Sequence, residues 1–221
     1  MVDVVSNLYL DKEDDYFSQV RSEIEDLLPN YSEVTLDIGC GDGATLEWIK
    51  ATKRCEKTYG IEISESSYLK AKKILDETLN INIEKEKNFF MKKKFDLILV
   101  LDVIEHLIDP WKFLNLIKSR LNEGGSIIIS VPNIRHYSIL KDLIFFGNWE
   151  YSQSGILDRT HLRFFTKKNL KKIFKKEKLN IEILKKYPID YSGKAKILNK
   201  ISFNLFSDFL TQQYIFKLKK C

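Results

Sequence analysis

Residues 36–44 read LDIGCGDGA, and this stretch decides the fold. An apolar strand pattern ends at Ile38, the chain turns at Gly39 and Gly41, and a helical pattern opens after Gly43. Glycine permits the turn, and its missing Cβ lets a ligand approach the backbone. N–H groups near the start of the helix favour a negatively charged or polar ligand. Upstream, residues 33–38 (EVTLDI) form the strand; downstream, Ala44 to Ala51 forms the helix. Tyr59 to Ile63 is a second strand, and Ser64 caps the helix that follows, with Tyr68, Ala71, Ile74 and Leu75 inward.

The same alternation continues. Residues 81–90 fit strand or loop equally. Residues 95–101 (FDLILVL) are a continuous apolar run, as in strands buried on both faces of a parallel sheet. Asp109-Pro110 starts a helix, with Trp111, Leu114, Ile117 and Leu121 as its apolar stripe. Gly124-Gly125 stops that helix before the strand at 126–131. At the N-terminal end, residues 14–28 have helical spacing. After Pro132 the periodicity is lost over an aromatic-rich segment, 133–165. Thr166 caps a helix with Leu170, Ile173 and Phe174 inward. Residues 179–187 and 212–218 read as late strands, with 191–211 helical between them. Strand–helix alternation with short loops implies an α/β doubly wound sheet with right-handed crossovers and helices on both faces.

Composition bounds the function classes. The 221 residues are 44% hydrophobic and 30% charged, as in a globular protein and unlike a disordered one. No window approaches a membrane span, and the acidic N-terminus is unlike a signal peptide. Cys40, Cys55 and Cys221 form no paired framework and no CxxC, which argues for a reduced, cytoplasmic setting and against a zinc site; no metal is expected. The net charge of +5 is uneven: Arg163 to Cys221 carries 16 basic and 4 acidic residues, so the first 162 residues stand at −7. The lysines of KKNLKKIFKKEK, 167–178, fall on the solvated face of an amphipathic helix. Nucleic-acid binding would require interleaved aromatics or a recognisable module, and the sequence offers neither.

Glu62 lies 21 residues after Gly41, at the end of the second strand, where an acidic side chain accepts hydrogen bonds from ribose hydroxyls. Two ligand classes fit. Read as G-x-G-x-x-A through Ala44, the loop holds a dinucleotide pyrophosphate, as in a nicotinamide oxidoreductase. Read as D-x-G-x-G-x-G, with Asp37, Gly39, Gly41 and Gly43, it resembles motif I of the class I S-adenosylmethionine-dependent methyltransferases. Asp37 favours the second reading, because a carboxylate there suits a cationic amine and repels a pyrophosphate. FDLILVLDVIEHLIDPWKFL, 95–114, and GGSIIISVPN, 124–133, resemble that family's fourth- and fifth-strand segments, and the likeness covers about 16–180. Residues 132–165 resemble a bacterial subgroup associated with small-molecule and surface-polysaccharide methylation.

The resemblance implies a Rossmann-like seven-stranded sheet with an antiparallel last strand, one methyltransferase domain over 1–221, and 133–165 as an acceptor-site or lid insertion. It implies S-adenosyl-L-methionine as cofactor, held by Asp37, Gly39, the Cys40 N–H, Gly41, Gly43, Glu62, Ile63 and Asp102. The acidic residue that meets adenine in the family has no counterpart in NINIEKEKNFFMKKK; Asn88 or a backbone carbonyl is the substitute. Methyl transfer to an alcohol benefits from a base, and His161 is the first candidate, with Asp158 to orient it. His106, His136, Trp149, Tyr151 and Arg159 are candidate acceptor contacts. Residues 139–146 (ILKDLIFF) are alternatively a lipid- or subunit-facing surface. Arg21 reads as a surface residue of the first helix or a partner for a carboxylate of cofactor or substrate. The expected reaction is O-methylation of a small or carbohydrate-like acceptor, with N-methylation of an amine or amino sugar, or a non-catalytic cofactor-binding role, as alternatives. The oligomeric state stays open.

Overall fold

The computed structural model describes residues 19–86, 88–189, 199 and 206–221. Seven strands form one sheet: β1 (Ser32–Ile38), β2 (Cys55–Glu62), β3 (Glu77–Asn80), β4 (Phe95–Leu101), β5 (Leu121–Pro132), β6 (Leu179–Ile189) and β7 (Thr211–Lys220). Their order is β3-β2-β1-β4-β5-β7-β6. The first five strands run parallel, and β7 lies antiparallel between β5 and β6.

Alternation along the central strands sends side chains into two cores. Ile98 and Val100 of β4, Ile127 and Ile129 of β5, and Tyr214 and Phe216 of β7 enter one core. Leu97, Leu99, Ile128 and Ile215 enter the other. Helices α3 (Pro110–Ser119) and α5 (Lys167–Lys176) cover the first face through Leu114, Ile117, Leu170 and Phe174. Helices α1 (Ala44–Ala51) and α2 (Glu65–Ala71) cover the second through Leu46, Ile49 and Ala71, joined by Ile24 and Leu27. Both faces are dry, which explains why β4 reads as an unbroken apolar run. Three caps form as the sequence predicts: Ser64, Asp109 and Thr166 each accept a hydrogen bond from a first-turn N–H.

Several expectations need correction. The described part of the expected helix at 14–28 is a short 3-10 turn, Ser22–Leu27. The third strand is Glu77–Asn80, ahead of 81–90; it is four residues long at the sheet edge, too short to show a periodic pattern. Helix α2 ends at Ala71, which leaves Ile74 exposed although Leu75 is buried. In α3 the buried stripe is Pro110, Phe113, Leu114 and Ile117, and Trp111 faces outward. That helix ends at Ser119, and Gly124-Gly125 lie inside β5, opposite an irregularity in its pairing with β4. Residues 133–165 contain a helix, α4 (Tyr137–Phe146), with no fully buried residue, where the sequence shows no clean periodicity. Most of the expected helix at 191–211 lies outside the described residues. No described helix is long and apolar enough to cross a membrane.

Candidate active site

The strand order reverses between β1 and β4, the switch point where open α/β sheets bind ligands beyond the strands' carboxyl ends. A cavity of about 800 Å³ opens there, lined among others by Asp37, Gly39, Glu62, Asn82, Asp102 and His106. The glycine loop forms its floor. Gly39 has φ +75°, and a Cβ there would stand 2.8 Å from Val103 Cγ2, so a larger residue is excluded on both counts. The N–H groups of Gly39 and Cys40 both donate to the Ile61 carbonyl, at 2.8 and 3.2 Å. The Cys40 N–H, expected to face the ligand, is therefore engaged in tying the loop to β2. The Cys40 thiol is buried, and burial pushes it well above its ordinary range.

Glu62 braces the same loop from β2. Its Oε2 accepts from the Gly41 N–H at 2.9 Å and its Oε1 from the Ser64 N–H at 2.8 Å. Each oxygen keeps a second lone pair, which suits two vicinal hydroxyls. Asn80 holds the backbone of this corner by donating to the carbonyls of Glu62 and Ile63. Ile63 itself is on the cavity wall. Asp37 is 3% exposed, and its Oδ1 has no hydrogen-bond partner among the described residues. Burial pushes its carboxyl up to about 8, opposed by Arg21 and reinforced by Glu62. An unpartnered buried carboxylate oxygen beside the cavity fits a ligand that brings its own cation, such as the methionyl amine of S-adenosylmethionine. The wall beyond β3 is Ile81, Asn82, Ile83 and Glu84, whereas Asn88 stands exposed and off the wall.

Asp102 follows β4 in a left-handed conformation, φ +56°. Its carboxylate accepts from Arg21 Nη1 at 2.8 Å, from the Ser130 hydroxyl at 2.9 Å, and from the Gln213 amide. Arg21 is no surface residue: it lines the cavity and also pairs with Glu23. Its partner Asp102 lies 81 residues away in the chain, beyond the reach of a local pattern.

The acceptor side gathers residues from two remote segments. His106 ends a 3-10 turn, Ile104–His106, and lines the cavity. His161 packs edge-on against it, with ring centroids 4.7 Å apart, and lies behind the wall of the cavity. The imidazole at the surface of the cavity is therefore His106 and not the expected His161. His106 Nδ1 meets the Thr160 carbonyl at 3.1 Å, and His161 Nδ1 meets the Ile156 carbonyl at 3.0 Å. A backbone oxygen thus orients each ring, and Asp158 Oδ1 accepts from the Thr160 N–H and hydroxyl. Burial, with the neighbouring His161, lowers His106 to about 4. Glu105 is fully buried beside them, a neighbour that sequence reading passed over as part of a strand–helix junction.

A second hollow of about 630 Å³ adjoins the first, with Gly155 and Gln212 on both walls. His136 and Tyr151 line it. His136 caps the start of α4, and its Nδ1 contacts the Ser138 hydroxyl at 2.8 Å. Trp149 packs edge-on against Phe164, and Trp149 and Arg159 lie outside both walls.

Comparison with known proteins agrees with this geometry. A methyltransferase-domain family model matches residues 13–184. A mitochondrial ubiquinone biosynthesis O-methyltransferase from Dictyostelium discoideum is 28% identical over 123 residues, 49% of this chain and 38% of that protein. A Nitrobacter winogradskyi protein of the same name is 30% identical over 102 residues, 44% of this chain and 38% of that protein. The chain therefore spans about two fifths of the length of these relatives. A crystal structure of a SAM-dependent methyltransferase from Archaeoglobus fulgidus superposes with a TM-score of 0.65 at 19% identity, covering 99% of this chain and 100% of that one. The match of the family model over most of the chain, on a seven-stranded Rossmann-like sheet with β7 antiparallel, places the protein in the methyltransferase-domain family, with S-adenosylmethionine as the cofactor.

Proposed function

We propose that the protein is an O-methyltransferase acting on a small, hydroxylated acceptor, carbohydrate-like molecules included, in the cytoplasm. One observation carries the reading: His106 stands on the wall of the same cavity that Asp37 and Glu62 line, so an acceptor oxygen and the cofactor cradle share one space. When bound, the cofactor supplies a methyl carbon on a cationic sulfur. This chain's residues hold and orient. Asp37 receives the amine, Glu62 the ribose hydroxyls, and the Ile81–Glu84 wall the adenine. His106 receives the acceptor hydroxyl, with the Thr160 carbonyl fixing its ring and His161 packed behind it. Much of the rate gain is positional.

The segment 133–165 forms the acceptor side. It is pinned at both ends by a bridge between Asn133 and Phe165, and it offers the half-exposed Tyr151 beside the adjoining hollow. The relatives named as O-methyltransferases support the atom class. Calorimetric titration with S-adenosylhomocysteine and with NADH tests the cofactor, and binding of NADH alone overturns the reading. Transfer of a labelled methyl group to hydroxylated and aminated sugar and phenol acceptors tests the atom. Product on hydroxyls supports O-methylation, and product on amines alone replaces it.

A further inference from the structure

Glu105, His106 and His161 are packed so that one ligand atom from each lies within 4.8 Å of the others. The three side chains are 1%, 6% and 7% exposed. Neither Glu105 oxygen has a hydrogen-bond partner among the described residues. A carboxylate removed from water without partners is costly, so the arrangement calls for a positive ligand. Asp102 and Asp158 add further negative charge around Glu105, and Arg21 offsets part of it.

The two imidazoles are prepared in a particular way. Each directs Nδ1 at a backbone carbonyl, Thr160 for His106 and Ile156 for His161. Donation from Nδ1 leaves Nε2 as the lone-pair nitrogen, the tautomer that metal-ligating histidines adopt when a carbonyl holds the other ring nitrogen. The two segments are also locked together: the N–H groups of Leu162 and Arg163 both donate to the Glu105 carbonyl, at 2.8 and 2.9 Å. The position of His161 against the Ile104–His106 turn is thereby fixed by backbone.

We propose that Glu105, His106 and His161 form a binding site for a divalent transition-metal cation, with an open coordination position reached from the cavity beside His106. Two imidazoles and one carboxylate suit Zn²⁺, Mn²⁺ or Co²⁺, and three protein ligands leave room for an exogenous oxygen. The use of the site rests on the O-methylation reading: the acceptor hydroxyl takes the open position. The cation lowers the hydroxyl's pKa, the O–H bond breaks, the proton leaves to bulk water, and the oxygen keeps the electron pair. His161 then serves as a ligand, which explains its place behind the cavity wall.

The test uses the full chain, stripped with a chelator and titrated with Zn²⁺ by calorimetry and with Co²⁺ by visible absorption and proton NMR. The proposal expects one equivalent of either metal and two strongly shifted, exchangeable imidazole resonances with Co²⁺. Glu105→Gln and His161→Asn are expected to weaken Zn²⁺ binding by at least about 100-fold, with S-adenosylhomocysteine binding on the same samples as the check of folding. Absence of stoichiometric binding, absence of the shifted resonances, or folded variants that bind Zn²⁺ unchanged overturns it. The resonances decide even where a variant does not fold. One bound metal without transfer to any hydroxyl keeps the site and removes the O-methylation reading. Transfer to hydroxyls by protein that binds no metal does the reverse.

Discussion

Asp37 occupies a position where burial opposes charge. Its carboxyl is pushed up to about 8, mainly by desolvation, against an ordinary 3.8. Because the folded pKa lies above the unfolded one, Asp37 contributes stability below about pH 4, and that contribution is lost as the pH rises through 8. A cationic amine bound beside it favours the ionised form, so ligand binding should release a proton in this window. The interval in melting temperature between the free protein and the S-adenosylhomocysteine complex is therefore expected to widen from pH 6 to pH 8. In Asp37→Asn it should stay flat, with affinity reduced about 10- to 100-fold at pH 8, as for loss of a charge-assisted hydrogen bond. Equal pH slopes for the two proteins would place the amine elsewhere. At this scale the sequence was legible where spacing is local. Asp37, Gly39, Gly41 and Glu62 follow one another through a strand, a loop and a strand, and they converge on one cavity, whereas Gly43 sits off its wall at the start of α1. The placement of Arg21, Glu105 and the Ile81–Glu84 wall was not legible, because it depends on partners brought near by the fold and not by spacing.

Elements were legible in proportion to how much of their surface is buried. Helix α5 turns Leu170 and Phe174 into the core against β7, with the Phe174 and Phe216 rings 5.1 Å apart, and its periodicity is plain in the sequence. Helix α4 buries nothing, and Phe146 on it is 71% exposed. The sequence accordingly showed an irregular aromatic stretch there. Strand β3 escaped for another reason: four residues at an edge show too few alternations to count. The two helices should respond differently to the same substitution. Phe174→Ala is expected to cost about 3–5 kcal/mol in denaturant unfolding, the usual price of an aromatic removed from a packed core. Phe146→Ala should stay within about 0.5 kcal/mol, as for an exposed position. A large loss in the second variant would mean that α4 is covered in solution.

At the scale of the whole molecule, only part of the basic excess toward the C-terminus meets a carboxylate of the protein. Lys185 pairs with Asp26, Lys167 and Lys186 with Asp208, and Lys217 and Lys219 with Glu182. Much of the remainder, Lys168, Lys171, Lys172, Lys175 and Lys176, lies exposed on the outer face of α5, as the sequence predicts. The late position of these lysines serves the topology: β6 and β7 come last in the chain but enter the sheet beside β5. The same topology closes the cavity with both ends of the described chain. Arg21 precedes β1, Asp102 follows β4, Ser130 lies on β5 and Gln213 on β7, and all meet at the Asp102 carboxylate. Arg21 and Asp102 are 21% and 29% exposed, so their attraction is only partly screened. A double-mutant cycle isolates it from the rest of the cluster. Arg21→Met and Asp102→Asn, which preserve side-chain length and tolerance of the left-handed backbone, should each destabilise the protein. Their combined loss should fall short of the sum by about 1–2 kcal/mol, the range for a hydrogen-bonded, partly buried charge pair. Strict additivity in unfolding free energy would show that Arg21 and Asp102 are not coupled.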